Sequence, residues 1–299
     1  PASQTPLSAV ALAELLVGEC GLPPGYLHVV TGAGGEVGAA LVEHPDVAYV
    51  TFTGSSEVGW GIAAKAGHKK VALELGNNSP VIVEADGDWA QAARTIATAG
   101  FSHAGQSCVS VQRVYVAAPV AGDFTALLAG LVDDLIVGDP MDDKTDVSAL
   151  ISPDERDRVA SWIEEAVAGG AKVVAGGGMQ SGVLRPTVLT GMTPDMRVSR
   201  DEVFGPVVAI AAYDSLDEAL RLADDTRYGL QAGIFTASLA SALRAARELR
   251  FGTVLVNEVP TWRADQMPYG GVRESGNTKE GPTYAVRQMT EERLVVIRP

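Results

Sequence analysis

The chain has 299 residues, 46% hydrophobic and 20% charged, a balance that supports packed cores and argues against a disordered segment. Its formal net charge of −14 repels a phosphate backbone and no Lys/Arg block offsets it, so nucleic acid is not an expected partner. The longest apolar runs, such as Val207 to Tyr213, fall short of the roughly 18–20 residues that span a bilayer, no secretory signal is seen, and Cys20 and Cys108 lack metal-ligand spacing; a cytoplasmic protein with no membrane, metal or disulfide framework is expected.

The chain opens on Pro1 without an initiator Met, which reads as a fragment or processed product. An apolar helix pattern from Leu7 to Glu19 stops at Gly21-Leu22-Pro23-Pro24-Gly25. Tyr26 to Val30 reads as a short buried strand, followed by a Gly-rich turn from Gly32 to Gly38 and a helix toward Glu43. Val47 to Phe52 reads as a strand, Ser55 to Lys65 as a helix and Lys70 to Leu75 as a strand, a β-α-β rhythm that predicts a parallel sheet. The polar run Gly76-Asn77-Asn78-Ser79-Pro80 marks a domain crossing.

Beyond it, Val81 to Glu84 is a predicted strand and Trp89 to about His103 a long helix. Strands are expected at Val114 to Ala117, Val183 to Leu189, Val207 to Tyr213, Ala232 to Phe235 and Val254 to Asn257. Helices are expected at Phe124 to Leu135, Asp154 to Val167, Leu216 to Ala223 and Leu239 to Leu249. No internal repeat or low-complexity tract interrupts them. The expected domains are residues 1–75, residues 76–276 and a C-terminal return segment 277–299.

Two residues stand out chemically. Cys108 closes the small, polar run Gly105-Gln106-Ser107 at the end of a helix pattern, and a thiolate there is a nucleophile suited to carbonyl carbon. Cysteine is equally among the most buried and inert residue types. Glu74 ends the apolar strand Val71-Ala72-Leu73, where desolvation raises a carboxyl toward the range of a general base; the alternative is an edge-strand Glu facing water. Gly32-Ala33-Gly34-Gly35-Glu36-Val37-Gly38 has nearly the spacing of a dinucleotide fingerprint, its third Gly one residue late. Gly54-Ser55-Ser56-Glu57-Val58-Gly59 joins a strand to a helix and fits a pyrophosphate at the helix start, or simply a capped turn.

Taken in order, Thr5-Pro6, Phe52-Thr53-Gly54-Ser55-Ser56-Glu57-Val58-Gly59, Leu73-Glu74-Leu75-Gly76, Gly105-Gln106-Ser107-Cys108, Glu202-Val203-Phe204-Gly205-Pro206 and Met267-Pro268-Tyr269-Gly270-Gly271-Val272 resemble the aldehyde dehydrogenase superfamily over essentially the whole chain. The resemblance implies an α/β fold made of part of a Rossmann-type cofactor domain plus an α/β catalytic domain. It implies NAD(P)-dependent oxidation of a small-molecule aldehyde to a carboxylic acid, with NAD or NADP as cofactor and a homodimer or homotetramer as the assembly.

Residue by residue, Cys108 resembles the nucleophile and Glu74 the base that hydrolyses the thioester. Gly54, Ser55 and Gly59 resemble the positions that meet the cofactor pyrophosphate, Thr53 and Leu75 resemble positions near the nicotinamide, and Gly34 and Gly35 resemble neighbours of the adenine. Glu202 resembles the residue that bonds the nicotinamide ribose, and Phe204 the one beside the ring. Tyr269 resembles an aromatic wall of the aldehyde funnel, and Arg263 stands in the segment lining its entrance, where it suits an anionic substrate end. Ser3 falls where NAD-preferring members carry a Glu, so NADP is expected to be accepted.

The resemblance departs from the family in several places. The oxyanion Asn, a Lys that binds the adenine ribose, the first strands of the cofactor domain and the oligomerisation hairpin would all fall upstream of Pro1, so the N-terminal part of the cofactor domain is expected to be absent. Asn77-Asn78 replaces the commoner Gly-Lys. Arg293 to Ile297 resembles the oligomerisation strand and would lack its usual partner. Two competing readings are an inactive truncated remnant of the same fold and a non-oxidative thiol esterase or acyl transferase. Glu202-Val203-Phe204-Gly205-Pro206 argues against the last, because a hydrolase has no use for a nicotinamide clamp.

Overall fold

A computed structural model describes residues 1–299, which divide into two compact units. The first comprises Pro1–Thr53 and Glu57–Leu73, the second Gly54–Ser56 and Glu74–Pro299. In the first, α1 (Leu7–Gly18) leads to a π-helical turn over Gly34–Gly38 that runs into α2 (Ala39–Glu43). Strand β1 (Tyr49–Thr53), helix α3 (Ser56–Lys65) and strand β2 (Lys70–Glu74) follow, with β1 and β2 paired in a two-stranded sheet.

The second unit begins its own sheet with β3 (Pro80–Val83), then α4 (Trp89–Ala99), β4 (Arg113–Ala117), α5 (Ala118–Asp133) and α6 (Pro153–Ala168). Next come β5 (Lys172–Ala175), the small pair β6 (Met179–Gln180) and β7 (Val183–Leu184), β8 (Thr187–Thr190), α7 (Arg197–Arg200) and β9 (Val207–Tyr213). The chain finishes with α8 (Leu216–Asp224), β10 (Gln231–Phe235), α9 (Leu239–Glu248), β11 (Thr253–Val256) and α10 (Pro282–Met289). Seven strands form one sheet in the order β11-β10-β3-β4-β9-β8-β5, parallel except for the antiparallel edge strand β5.

Local chemistry explains most of these elements. Asp88, Ser152, Ser215 and Ser238 each accept a hydrogen bond from a backbone N–H three residues on, capping α4, α6, α8 and α9. Ser152 with Glu155 and Ser215 with Glu218 have the spacing of the reciprocal capping box. Strands β3, β4 and β10 are buried at every position, as central parallel strands covered on both faces must be. Helix α5 packs on β4 and β9 and pairs with α4; α8 packs on β3 and β4 and pairs with α9. No helix is long and apolar enough to cross a membrane.

Three expectations are corrected. Tyr26 to Val30 forms no strand: Tyr26 and Val30 are exposed and no neighbouring strand offers a ladder. The helix from Trp89 stops at Ala99, because Gly100 ends it and the chain coils into a tight turn over Ser102–Gly105. Val183 to Leu189 is two strands, since Pro186 cannot donate to a ladder. Arg293 to Ile297, expected to lack its usual partner, forms no strand, and Leu294 to Ile297 are all exposed.

Candidate active site

The turn that carries Cys108 is built against ordinary backbone preference. His103, Ala104 and Gly105 take successive left-handed conformations, with φ of 54°, 55° and 70°. Left-handed backbone costs roughly 1–2 kcal/mol for a residue with a Cβ, and such strain gathers at functional sites. Gly105 has a second reason to be glycine: a Cβ there would lie 2.0 Å from the carbonyl oxygen of Gly205. The Cys108 turn therefore rests directly on the segment Glu202–Pro206. Ser110 Oγ donates to the carbonyls of Ala99 and Gly100, and Gln106 Oε1 accepts from the Ile151 N–H at 2.9 Å, so both ends of the turn are held.

Cys108 is half-buried and unbridged, with its Sγ 3.1 Å from the hydroxyl of Tyr269. Burial pushes the thiol above its ordinary value; the Tyr269 hydrogen bond opposes this, and the carboxylates of Glu202 and Glu74 add to it.

Glu74 does not face water. It is 6% exposed, and neither carboxylate oxygen has a hydrogen-bond partner. Burial and then the charge of Glu280 push it up to about 8, against the pull of Lys279 and Arg263. Gly270 packs so closely that a Cβ on it would stand 2.6 Å from Glu74 Oε1. The carboxylate is positioned from the C-terminal part of the chain: Glu74 bridges Gly276, the Leu75 N–H donates to Ser275 O at 3.0 Å, and Ser275 Oγ donates to Gly76 O at 2.6 Å. Further along, the Glu280 N–H donates to Tyr269 O, and Lys279 Nζ donates to Gly270 O. One strap, residues 275–280, thus fixes both the carboxylate and the tyrosine that touches the thiol.

Arg263 lies above this strap. Its guanidinium is 4.4 Å from the Tyr269 ring centre and 3.0 Å from Glu280. Glu202 is held from the segment that follows β2, its Oε1 accepting from the Asn77 N–H at 3.1 Å, and burial pushes it up to about 7. Asn78 anchors the same segment, donating to Ser199 O while Thr226 donates to its Oδ1. Phe204 has a left-handed backbone, φ 48°, and presents 39% of its surface to solvent.

Of the sequence candidates, Cys108, Glu74, Glu202, Tyr269 and Arg263 come together in the second unit. Leu75 is buried beside Glu74, and Gly54 donates its N–H to Glu74 O. Ser55 is an exposed residue of the second unit, while Gly34, Gly35, Thr53 and Gly59 belong to the first. Gly34 and Gly35 are exposed, with no atom within 4 Å of where a side chain would begin. Sequence reasoning missed Lys279, Glu280 and Ser275. They sit in a polar segment with no periodicity, and only the fold brings them to Glu74.

An α/β unit that gathers a half-buried thiol and a buried, unpartnered carboxylate has the arrangement of a thiol-based enzyme. Comparison with known proteins agrees: the aldehyde dehydrogenase family profile matches residues 1–295. The 3-sulfolactaldehyde dehydrogenase of Priestia aryabhattai is 50% identical over 99% of this chain and 62% of its own length. The lactaldehyde dehydrogenase of Methanococcus maripaludis is 38% identical over 99% of this chain and 64% of its own length. Among solved structures, the glyceraldehyde-3-phosphate dehydrogenase of Methanocaldococcus jannaschii complexed with NADP superposes with a TM-score of 0.93 at 37% identity, covering 97% of this chain and 64% of that one. Aldehyde dehydrogenase 21 of Physcomitrella patens, in complex with the reaction product succinate, gives 0.94 at 35% identity, covering 100% and 62%. This chain belongs to the aldehyde dehydrogenase family. It spans about three fifths of the length of the curated relatives it matches.

Proposed function

We propose that the chain carries the catalytic residues of an NAD(P)-dependent aldehyde dehydrogenase acting on a short aldehyde with an anionic end, and that Cys108 is its nucleophile and Glu74 its general base. The observation that carries this reading is the pairing of a reachable thiol with a carboxyl buried without partners and poised at about 8. The relatives named for sulfolactaldehyde and glyceraldehyde 3-phosphate support the anionic end, and the one named for lactaldehyde, which is neutral, supports only the short chain.

The residues present fit a nicotinamide cofactor. Glu202 has one oxygen held by the Asn77 N–H and the other without a protein donor, which suits a ribose hydroxyl. The exposed Phe204 ring offers an apolar surface for the nicotinamide, and, within the first unit by itself, the open backbone at Gly34 and Gly35 suits an adenine. When bound, the nicotinamide supplies an acceptor for the hydride released as the substrate carbon is oxidised.

The chain's own residues do the rest. The Cys108 thiolate adds to the aldehyde carbon, forming a C–S bond and a thiohemiacetal; after oxidation the carbon is a thioester. Glu74 accepts a proton from water, the resulting hydroxide equivalent adds to the thioester carbon, and the C–S bond breaks to release the carboxylic acid and Cys108. A carboxyl near 8 is strong enough as a base for this and is partly charged at neutral pH. Arg263, over the Tyr269 ring and paired with Glu280, carries donors suited to a sulfonate, phosphate or carboxylate. The exposed run Leu294 to Ile297 supports self-association as a homodimer or homotetramer.

The test is aldehyde-dependent reduction of NAD or NADP by the enzyme and its Cys108→Ala variant, beside a cofactor titration. Turnover is expected to vanish in the variant with cofactor affinity nearly unchanged. Turnover retained above about one hundredth of the parent rate would remove Cys108 from the mechanism.

A further inference from the structure

The Tyr269 hydroxyl has one hydrogen-bond partner in the protein, the Cys108 sulfur at 3.1 Å. The tyrosine is 7% exposed, and its ring is fixed on several sides. Arg263 lies 4.4 Å above the ring, the backbone at Tyr269 bridges Glu280, and the neighbouring Gly270 is locked against Glu74 and Thr278. A side chain held this firmly, with its only polar atom on a nucleophile, does more than wall a funnel.

We propose that Tyr269 is a catalytic residue whose hydroxyl donates a hydrogen bond to the Cys108 thiolate and holds the charged nucleophile in place. The proposal rests on Cys108 being the nucleophile.

The direction of the bond follows from the groups around it. While the thiol is neutral, either atom can donate. Once the sulfur has lost its proton, only the phenol has one to give. The phenol does not compete for ionisation, because burial, the sulfur itself, Glu74 and Glu280 all push it above its ordinary value. Around the sulfur, burial and the carboxylates Glu202 and Glu74 disfavour the thiolate, and the Tyr269 hydroxyl is the side-chain group that favours it. The nearby cations serve other atoms: Arg263 pairs with Glu280, and Lys279 donates to the Gly270 carbonyl. A half-buried thiol in acidic surroundings therefore draws on this neutral donor, the larger of two hydrogen bonds that favour its charged form, ahead of the Cys108 backbone N–H.

The experiment is alkylation by iodoacetamide as a function of pH, read by mass spectrometry on the Cys108 and Cys20 peptides of the parent and Tyr269→Phe proteins. It needs neither aldehyde nor cofactor, so its outcome is separable from whether the enzyme is a dehydrogenase. Phenylalanine keeps the ring under Arg263 and removes only the donor. Cys20 is exposed and unbridged and serves as the internal reference.

The Cys108 inflection is expected to move to higher pH in the variant by about one unit, a roughly tenfold slower reaction at neutral pH, with Cys20 unchanged. Ultraviolet absorbance of the thiolate should shift in the same direction. An unchanged Cys108 inflection overturns the proposal, and so does a rate raised equally at every pH, which would make Tyr269 a steric cover alone.

Discussion

The backbone of Gly105 lies so close to that of Gly205 that a methyl group on the former would sit 2.0 Å from the carbonyl oxygen of the latter. This contact seats the Cys108 turn on the segment that carries Glu202 and Phe204. It also occurs at φ +70°, where a Cβ is disfavoured regardless of space.

Gly105→Ala is accordingly expected to destabilise the second unit by about 2–4 kcal/mol, combining left-handed strain with overpacking against backbone that cannot rotate away. Thermal unfolding should show a Tm lower by about 5–15 °C. A melting curve matching the parent would mean the turn relaxes freely, and the close approach would lose its significance.

Glu74 should govern the pH dependence of turnover when hydrolysis limits the rate. A base held at about 8 is protonated below that value, so the rate should rise about tenfold per pH unit up to it and level off above. Glu74→Gln should give a burst of reduced cofactor of about one equivalent per site and then stall as the thioester. Stopped-flow absorbance distinguishes this from slow turnover without a burst, which would assign Glu74 to an earlier step.

The same carboxyl has a consequence for stability. Its folded value, about 8, lies above the ordinary 4.5, so between these values the folded state holds a proton that the unfolded chain has released. The contribution is fully present below about 4.5 and is lost as pH rises through about 8. Glu74→Gln carries no such proton, so the Tm of the variant relative to the parent should increase steadily across this window. Parallel Tm curves from acid to alkaline pH would show that Glu74 is solvated in solution.

Arg263 is already engaged by Glu280 and by the Tyr269 ring. If it also receives the anionic end of the substrate, Arg263→Ala should raise KM for a short anionic aldehyde by about tenfold to a hundredfold, or roughly 1.5–3 kcal/mol for a charge-assisted hydrogen bond. Propanal should be nearly unaffected. Glu280→Gln should lower KM for the anionic substrate by freeing the guanidinium. Equal losses on both aldehydes would show that Arg263 serves only to hold Tyr269 and its loop.

Much of this protein was legible in the order of its residues. The apolar period and the Ser152 and Ser215 caps place α6 and α8, and the continuous apolar run from Val207 places β9, because these signals act within a few residues of one another. The family motifs single out Glu74, Cys108 and Glu202 by order and spacing alone. Tertiary structure decided the rest. Whether Glu74 met water or was buried, whether the Tyr269 hydroxyl reached the thiol, and that Lys279 and Glu280 stood by Glu74 all depend on residues far apart in the chain. Tyr26 to Val30 and Arg293 to Ile297 have strand-like sequences, yet neither has a neighbouring strand to pair with. A helix cap is satisfied by the chain beside it, whereas a ladder, a buried charge or a shared proton exists only when a distant segment arrives to complete it.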